Sequence, residues 1–141
     1  MKSRHLSLRI DEQAYEQLEA MARRERETVS ETARRLIEEG RRMAEHPGIV
    51  FRPGPTGVRA AIADGPDVWE VIEAFPAWDP KWDIKSHEGL GGTSVTARQV
   101  MQAQRYYRDY PGEIDARIEA NREAAEKSYE DWLLTQSAVA R

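Results

Sequence analysis

The strict alternation of apolar and polar side chains over residues 4–10 constrains this chain more than any other feature. Leu6, Leu8 and Ile10 fall on one side of an extended segment and the polar residues fall on the other, which predicts a strand with one buried face. A lone strand leaves its backbone N–H and C=O groups unpaired, so it needs a partner strand. The nearest partner is the same segment of a second copy, which predicts an antiparallel two-stranded ribbon across a twofold axis.

Two amphipathic helices are predicted directly after this strand. Asp11 can cap the first helix, whose apolar residues recur at helical spacing between residues 15 and 22. Val29 and Ser30 are predicted as the staple and the N-cap of the second helix, which reaches about Met43. The break at His46-Pro47-Gly48 then ends a first domain over residues 1–45.

The polar side of the ribbon predicts a surface that reads DNA. A two-stranded ribbon fits the major groove, where His5, Ser7 and Arg9 of both copies would face base edges. Arg9 is the strongest candidate, because one guanidinium can bond O6 and N7 of guanine together. Lys2 and Arg4 would add phosphate contacts. The alternative is an ordinary edge strand with a polar outer face.

The start of the second helix is a second predicted DNA contact. The free backbone N–H groups of Val29 and Ser30, together with the Ser30 hydroxyl, can hold a phosphate. Glu31 opposes this, because its carboxylate would repel a phosphate nearby. The alternative is that Ser30 serves only as the N-cap of the helix, and the two interpretations are compatible because one residue can fill both roles.

These segments resemble the ribbon-helix-helix (CopG/Arc/MetJ-like) superfamily over about a third of the chain. The resemblance rests on Arg4-His-Leu-Ser-Leu-Arg-Ile10 and on Val29-Ser-Glu-Thr-Ala-Arg-Arg-Leu-Ile37. It implies that the outward strand residues read bases and that the start of the second helix holds phosphate. Those roles correspond to His5, Ser7 and Arg9, and to Val29 and Ser30.

Charge separates the first part of the chain from the rest. Residues 1–43 hold ten Lys or Arg and nine Asp or Glu, whereas the remainder holds eleven and sixteen. A near-neutral first part can still bind DNA if its cations share one face, and dimerisation doubles that face. The acidic remainder is expected to contact something other than DNA.

No apolar run is long enough to cross a bilayer and no apolar signal segment opens the chain, which favours a cytoplasmic protein.

Residues 46–141 are predicted to form a small α+β domain that is mostly helical, so the whole chain is mainly α with short β. Residues 76–93 contain prolines, glycines and two tryptophans, which indicates an ordered loop of unknown role. The predicted elements are a β-hairpin over 49–62 and helices over about 67–75, 96–109 and 113–135.

The last predicted helix carries an apolar stripe beside many carboxylates. A protein surface that attracts phosphate would attract these carboxylates too, and aromatic side chains could anchor the contact. The alternative is that the stripe packs on its own domain and leaves a solvated acidic face. The candidate partner-binding residues are Tyr129, Trp132, Leu133, Glu126 and Glu130.

The C-terminal region resembles VapB-like antitoxins. The resemblance rests on Gly54-Pro-Thr-Gly-Val-Arg-Ala, Gly65-Pro-Asp-Val-Trp-Glu-Val71 and Tyr106-Tyr-Arg-Asp-Tyr-Pro-Gly-Glu-Ile-Asp115. It implies a type II antitoxin that neutralises a PIN-like ribonuclease toxin and represses its own operon as a homodimer, with higher oligomers left open. The alternative is a free-standing repressor whose C-terminal domain oligomerises or senses a ligand, with Trp69, Trp78 and Trp82 lining a pocket.

An enzyme finds little support in the sequence, so no catalytic residue, metal or cofactor is predicted. His5, His46 and His87 lie in different segments without metal-ligand spacing, and the chain has no cysteine. The glycines of residues 89–93 lack the lysine of a phosphate loop. A small hydrolase that carries a DNA-targeting module remains the third hypothesis.

Overall fold

The structure is a computed structural model that describes residues 2–76 and 95–140. The chain divides into two compact units, Met1–Arg42 and Met43–Arg141. Helices dominate both described ranges, and the strands assigned there form a small two-stranded antiparallel sheet. Among the described residues, no helix is long and apolar enough to cross a membrane.

The first unit contains helix α1, Glu12–Glu25, and most of helix α2, Val29–Glu45. The Asp11 carboxylate accepts a hydrogen bond from the Ala14 N–H at 2.7 Å, so the predicted cap of α1 is confirmed. Arg26 ends α1 in the left-handed conformation with φ of 56°. This lets the Glu27 N–H donate to the Ala22 carbonyl and turns the chain toward α2.

The predicted N-cap of α2 is wrong. Thr28 is the cap, because the Glu31 N–H donates to Thr28 Oγ1 at 3.1 Å and the Thr28 N–H donates to Glu31 Oε2 at 2.8 Å. This reciprocal Thr-x-x-Glu capping box satisfies two backbone donors, whereas a cap at Ser30 would satisfy only one. Ser30 therefore lies inside the first turn of the helix.

The second unit begins with the predicted hairpin, which is confirmed. Strand β1, Ile49–Arg52, pairs antiparallel with strand β2, Arg59–Ile62, in the register Ile49 to Ile62. Gly48 has a φ of 94°, a positive value that glycine adopts readily and other residues rarely do. This conformation lets the chain turn between the end of α2 and β1.

Three helices complete the second unit. Helices α3, Val68–Ala74, and α4, Ala97–Asp109, match the predicted helices within a residue or two. The predicted last helix, 113–135, is too short at both ends, because helix α5 spans Pro111–Val139. The helix begins earlier because Pro111 suits the first helical position, where a backbone N–H would have no partner within the helix. It ends later because no helix breaker occurs between residues 135 and 139.

The core of the second unit lies between the hairpin, α3, α4 and the first turns of α5. Tyr106 is fully buried there, and its hydroxyl donates to the Glu113 carboxylate at 3.1 Å. The predicted loop over residues 76–93, apart from Pro76, lies outside the described residues. The buried residues of this core are Ile49, Ala60, Ile62, Val68, Val71, Ile72, Val100, Ala103, Tyr106 and Ile114.

Candidate functional site

The N-terminal segment carries five of the predicted DNA-binding side chains. All residues from 2 to 10 are exposed, and no helix or strand is assigned to them in a single copy. The predicted strand over residues 4–10 is therefore not formed within one chain, since none of the described segments pairs with it. Pairing with a second copy would form the strand, so the ribbon stays a prediction.

The apolar side of this segment is uncovered. Leu6, Leu8 and Ile10 are 67%, 58% and 44% exposed, and Tyr15 and Ile37 of the same unit are also among the exposed large apolar residues. Isolated exposed leucines are common on protein surfaces, but this group belongs to one small unit. The first unit therefore offers apolar surface to a partner.

The cations of the N-terminal segment are available for contacts. Lys2, Arg4 and Arg9 are exposed, together with His5 and Ser7. Within the described ranges, no carboxylate lies at ion-pair distance from Lys2, Arg4 or Arg9. Unpaired guanidinium and ammonium groups are the donors that phosphates and guanine edges accept.

At the start of α2, Ser30 is exposed and Val29 is partly buried. The Glu31 carboxylate folds back onto the Thr28 N–H, so a negative charge already sits at this helix end. A phosphate would meet that charge, as the sequence indicated for Glu31. Sequence reasoning passed over Thr28 as the cap, although the Thr-x-x-Glu spacing was the signal that could have identified it.

A polar network joins the end of α1 to α2. Thr32 is fully buried, and its hydroxyl donates to Glu27 Oε2 at 2.9 Å, while Arg35 Nε donates to Glu27 Oε1 at 3.2 Å. The hydrogen bonds from Arg35 and then Thr32 hold the pKa of Glu27 below its ordinary value. Glu39 accepts from Arg35 on the next turn of α2 at 3.1 Å, so Arg35 bridges Glu27 and Glu39.

The distal part of α5 gathers the predicted partner-binding residues. Every residue from 119 to 139 is exposed, including Glu126 and Glu130. Tyr129, Trp132 and Leu133 are 61%, 53% and 45% exposed, and the rings of Tyr129 and Trp132 stack with centroids 5.9 Å apart. These aromatic and leucine side chains share one helix face with an open apolar surface.

The same apolar stripe has a different environment near the start of α5. Ile114 is buried in the core and Ile118 is partly buried against it. The alternative in which the stripe packs on its own domain therefore holds only for the start of the helix. Its first two turns pack on the domain, and the rest carries exposed apolar side chains.

A groove of about 360 Å³ lies between the hairpin turn, α3 and α5. Trp69 lines it, whereas Trp78 and Trp82, which the sequence grouped with Trp69, lie outside the described residues. Arg59 forms an ion pair with Asp67, and the Trp69 Nε1–H also donates to Asp67 at 3.3 Å. Because these polar groups already bind one another, they stabilise the groove walls.

His46 is the buried histidine at the start of the second unit. Its Nε2 lies 3.0 Å from Asp109 Oδ2, but off the direction of a good hydrogen bond, and the rings of Tyr106 and Tyr110 pack edge-on against it. These contacts give His46 a structural position. His5 is exposed, and His87 lies outside the described residues.

Metal-ligating side chains do not gather in the parts of the chain that the structure describes, because no three His, Asp or Glu residues there could hold one ion. The two surfaces with open apolar side chains, the N-terminal segment and distal α5, are therefore the candidate functional sites. Comparisons of the chain with protein-family models, with curated proteins and with solved structures find no match.

Proposed function

We propose that the protein is a homodimeric antitoxin that represses its own operon and neutralises a PIN-like ribonuclease toxin. In this proposal the first unit binds operator DNA, and the second unit binds the toxin through α5. The proposal combines the family resemblance of the sequence with two open surfaces of opposite chemistry, one cationic and one acidic.

The observation that carries the DNA-binding half is the uncovered alternation of residues 4–10. Leu6, Leu8 and Ile10 are exposed in a single copy, although alternate spacing suits them to one buried face. Pairing with the same segment of a second copy would cover these side chains and satisfy the backbone groups between them. It would also bring two sets of Arg9, Ser7 and His5 to the opposite face.

The charges support the same division of labour. Lys2, Arg4 and Arg9 lie within nine residues of the N-terminus, and a dimer doubles their number on one side. The second unit has the excess of carboxylates, which disfavours DNA and favours a cationic protein surface. DNA and toxin would therefore bind to different units of the chain.

A free-standing repressor that senses a small molecule is the second candidate. The groove beside Trp69 supports it, because a space of about 360 Å³ falls within the size range of ligand pockets. The mutual pairing of Arg59, Asp67 and Trp69 weakens this candidate, since it leaves these groups with fewer hydrogen bonds for a ligand.

The experiment is to test both activities with one pair of variants. Operator binding is measured by gel shift with the DNA upstream of the chain's own gene, and partner binding by co-purification with the product of the adjoining gene. We expect Arg9→Ala to weaken operator binding about fivefold to a hundredfold, as loss of a bidentate guanine contact does, without loosening the partner.

The second variant replaces both Tyr129 and Trp132 by Ala on the exposed part of α5. We expect it to weaken partner binding and leave operator binding unchanged. If both variants impair the same activity, the division into two functional units is wrong. If the adjoining protein does not bind at all while ligand-dependent operator release occurs, the second candidate replaces the first.

A further inference from the structure

The groove beside Trp69 has one wall of small side chains on α5. Ala120, Asn121 and Ala124 form this wall, and all three are exposed. The polar groups on the facing wall already bind one another, which leaves the groove suited to an apolar side chain. A cavity of about 150 Å³ already binds benzene, so a space of about 360 Å³ has room for an indole ring.

Trp132 is the largest exposed apolar side chain on the distal part of α5. It is 53% exposed, and its ring stacks on that of Tyr129 with centroids 5.9 Å apart. Trp132 lies eight residues beyond Ala124, about 12 Å further along a helix that rises 1.5 Å per residue. Because both residues belong to one continuous helix, Trp132 cannot reach the groove of its own chain. The groove of a second copy has no such restriction.

The stretch of α5 between the groove and Trp132 leaves room for a second helix. Asn121, Ala125, Ser128 and Trp132 follow at intervals of four, three and four residues, so they share one face of the helix. We call these four residues the contact face. Ala125 and Ser128, at its middle, have small side chains, and the distance between packed helices depends on the side chains at the contact. Two copies of α5 can therefore approach closely here.

One twofold axis, beside residues 126–127, pairs the contact face with itself in antiparallel direction. Trp132 of one copy then lies opposite Asn121 of the other, because the two positions are equally far from the axis. For the same reason Tyr129 lies opposite Ala124, so both aromatic side chains meet the α5 wall of the groove. In such a contact each copy supplies both parts, and two grooves are filled at once.

The negative charges of distal α5 lie mostly on the side away from the contact face. A glutamate stands two positions before each member of the contact face, and two residues turn an α-helix by about 200°. These carboxylates would therefore stay in water when two copies pair. The residues are Glu119, Glu123, Glu126 and Glu130, and all four are exposed.

The remaining charges favour a second copy as the occupant. Asp131 lies seven residues beyond Ala124, two turns of helix, so it shares the flank on which the groove opens. Pairing would bring Asp131 of each copy toward a groove lined by two arginines and one aspartate. Nucleic acids and anionic membranes fit less well, because residues 119–139 hold five carboxylates and only two cations.

We propose that two copies of the chain exchange the aromatic ends of α5, so that Trp132 of each copy fills the groove beside Trp69 of the other. The inference does not rest on the proposed function, because it needs only a second copy of the chain. It adds a contact between second units that is separate from the ribbon of the first units. Because Trp132 is also proposed to contact the toxin, the exchange and the toxin would compete for it.

The test is cross-linking of the full-length chain across the proposed twofold axis. The chain has no cysteine, so Ser128→Cys introduces a single thiol beside the axis, where a short bismaleimide can join two copies. Leu8→Ala is added to every chain to weaken the ribbon, so that the cross-link reports on α5. The yield of covalent dimer is measured against chain concentration, and the chain with these two changes is the reference.

Trp132→Ala should raise the concentration needed for half-maximal cross-linking at least about tenfold, because each dimer would lose two apolar anchors. Ala124→Phe should have a similar effect, since its ring would fill the groove from within its own chain. Leu134→Ala is the matched control. Leu134 is 67% exposed and lies two residues beyond Trp132, on the other side of the helix, so this variant should cross-link as the reference does.

A mixture of the two impaired variants tests the exchange itself. The Trp132→Ala chain keeps an open groove and the Ala124→Phe chain keeps Trp132, so together they should form one intact contact. We expect the mixture to recover cross-linked heterodimers, identified by mass spectrometry, although each variant alone cross-links weakly. Circular dichroism checks that both variants keep their helices.

Three results would overturn the exchange: no cross-link in the reference chain, equal cross-linking by the Trp132→Ala chain and the reference, or no recovery in the mixture. Each of them leaves the antitoxin proposal standing, because operator binding and toxin binding are measured separately.

Discussion

The Arg117 guanidinium donates a hydrogen bond to Thr56 Oγ1 at 2.6 Å and thereby ties α5 to the turn between β1 and β2. The same side chain donates to the carbonyl oxygens of Thr56 and Val58. Arg117 lies one residue before Ile118, where the packed part of α5 ends. This contact therefore helps to set the direction in which the exposed part of the helix leaves the domain.

Replacing Arg117 should loosen α5 at its base. We expect Arg117→Ala to lower the free energy of unfolding by about 1 kcal/mol, because the hydrogen bonds are charge-assisted but partly exposed. Urea denaturation measures this loss, and hydrogen exchange should become faster in the first turns of α5. Arg117→Lys keeps the charge but not the forked donor geometry, so it should recover only part of the loss.

Leu8 should determine the association of two copies. Because Leu8 is exposed in a single copy, Leu8→Ala should leave the helices of the monomer intact. Burial in a ribbon would make the same change cost about 2 to 5 kcal/mol per leucine. Sedimentation equilibrium should then show a weaker dimer. Ser7→Ala, which lies on the opposite side of the segment, is the matched control and should leave the dimer unchanged. A dimer unaffected by Leu8→Ala would argue against the ribbon.

Thr28 and Ser30 should differ in their effect on α2. Thr28→Ala removes the side-chain acceptor for the Glu31 N–H and should lower stability by about 1 kcal/mol, the usual cost of losing a helix cap. Ser30→Ala should change stability little, because Ser30 is an exposed residue inside the first turn. Thermal unfolding of the two variants provides the comparison. A greater loss for Ser30→Ala would contradict the assignment of Thr28 as the cap.

Glu38 should make α2 sensitive to acid. Hydrogen bonds from Arg41 and then Arg42 lower the pKa of Glu38 to about 2, from an ordinary value of 4.5. Because the pKa is lower in the folded state, the stabilisation is fully present above about pH 4.5 and is lost as the pH falls toward 2. Urea denaturation of wild type and Glu38→Gln should therefore differ at pH 7 and converge near pH 2. A difference that persists at pH 2 would assign it to something other than this ionisation.

Local sequence patterns account for much of the secondary structure. The cap at Asp11, the hairpin around residues 53–58 and the helices α3 and α4 depend on contacts within a few residues, so periodicity and turn residues were sufficient to predict them. The N-cap of α2 and the ends of α5 were mispredicted. At the start of α2 two local signals competed, Thr28 and Ser30, and the hydrogen bonds between Thr28 and Glu31 identify Thr28 as the cap. At α5 no nearby helix breaker marks the end of the helix, so the sequence pattern placed its end too early.

The sequence by itself determined which residues can share a face: the alternation of residues 4–10 and the stripe along α5 follow from the repeat of a strand and of a helix. Only the tertiary structure decided which part of a stripe is covered. Ile114 is buried and Trp132 is exposed although both belong to one stripe, because the core formed with α3 and α4 extends along only the first turns of α5. The repeat of a helix or strand determines the direction in which each side chain points from its axis, whereas burial depends on which other segments pack against that face.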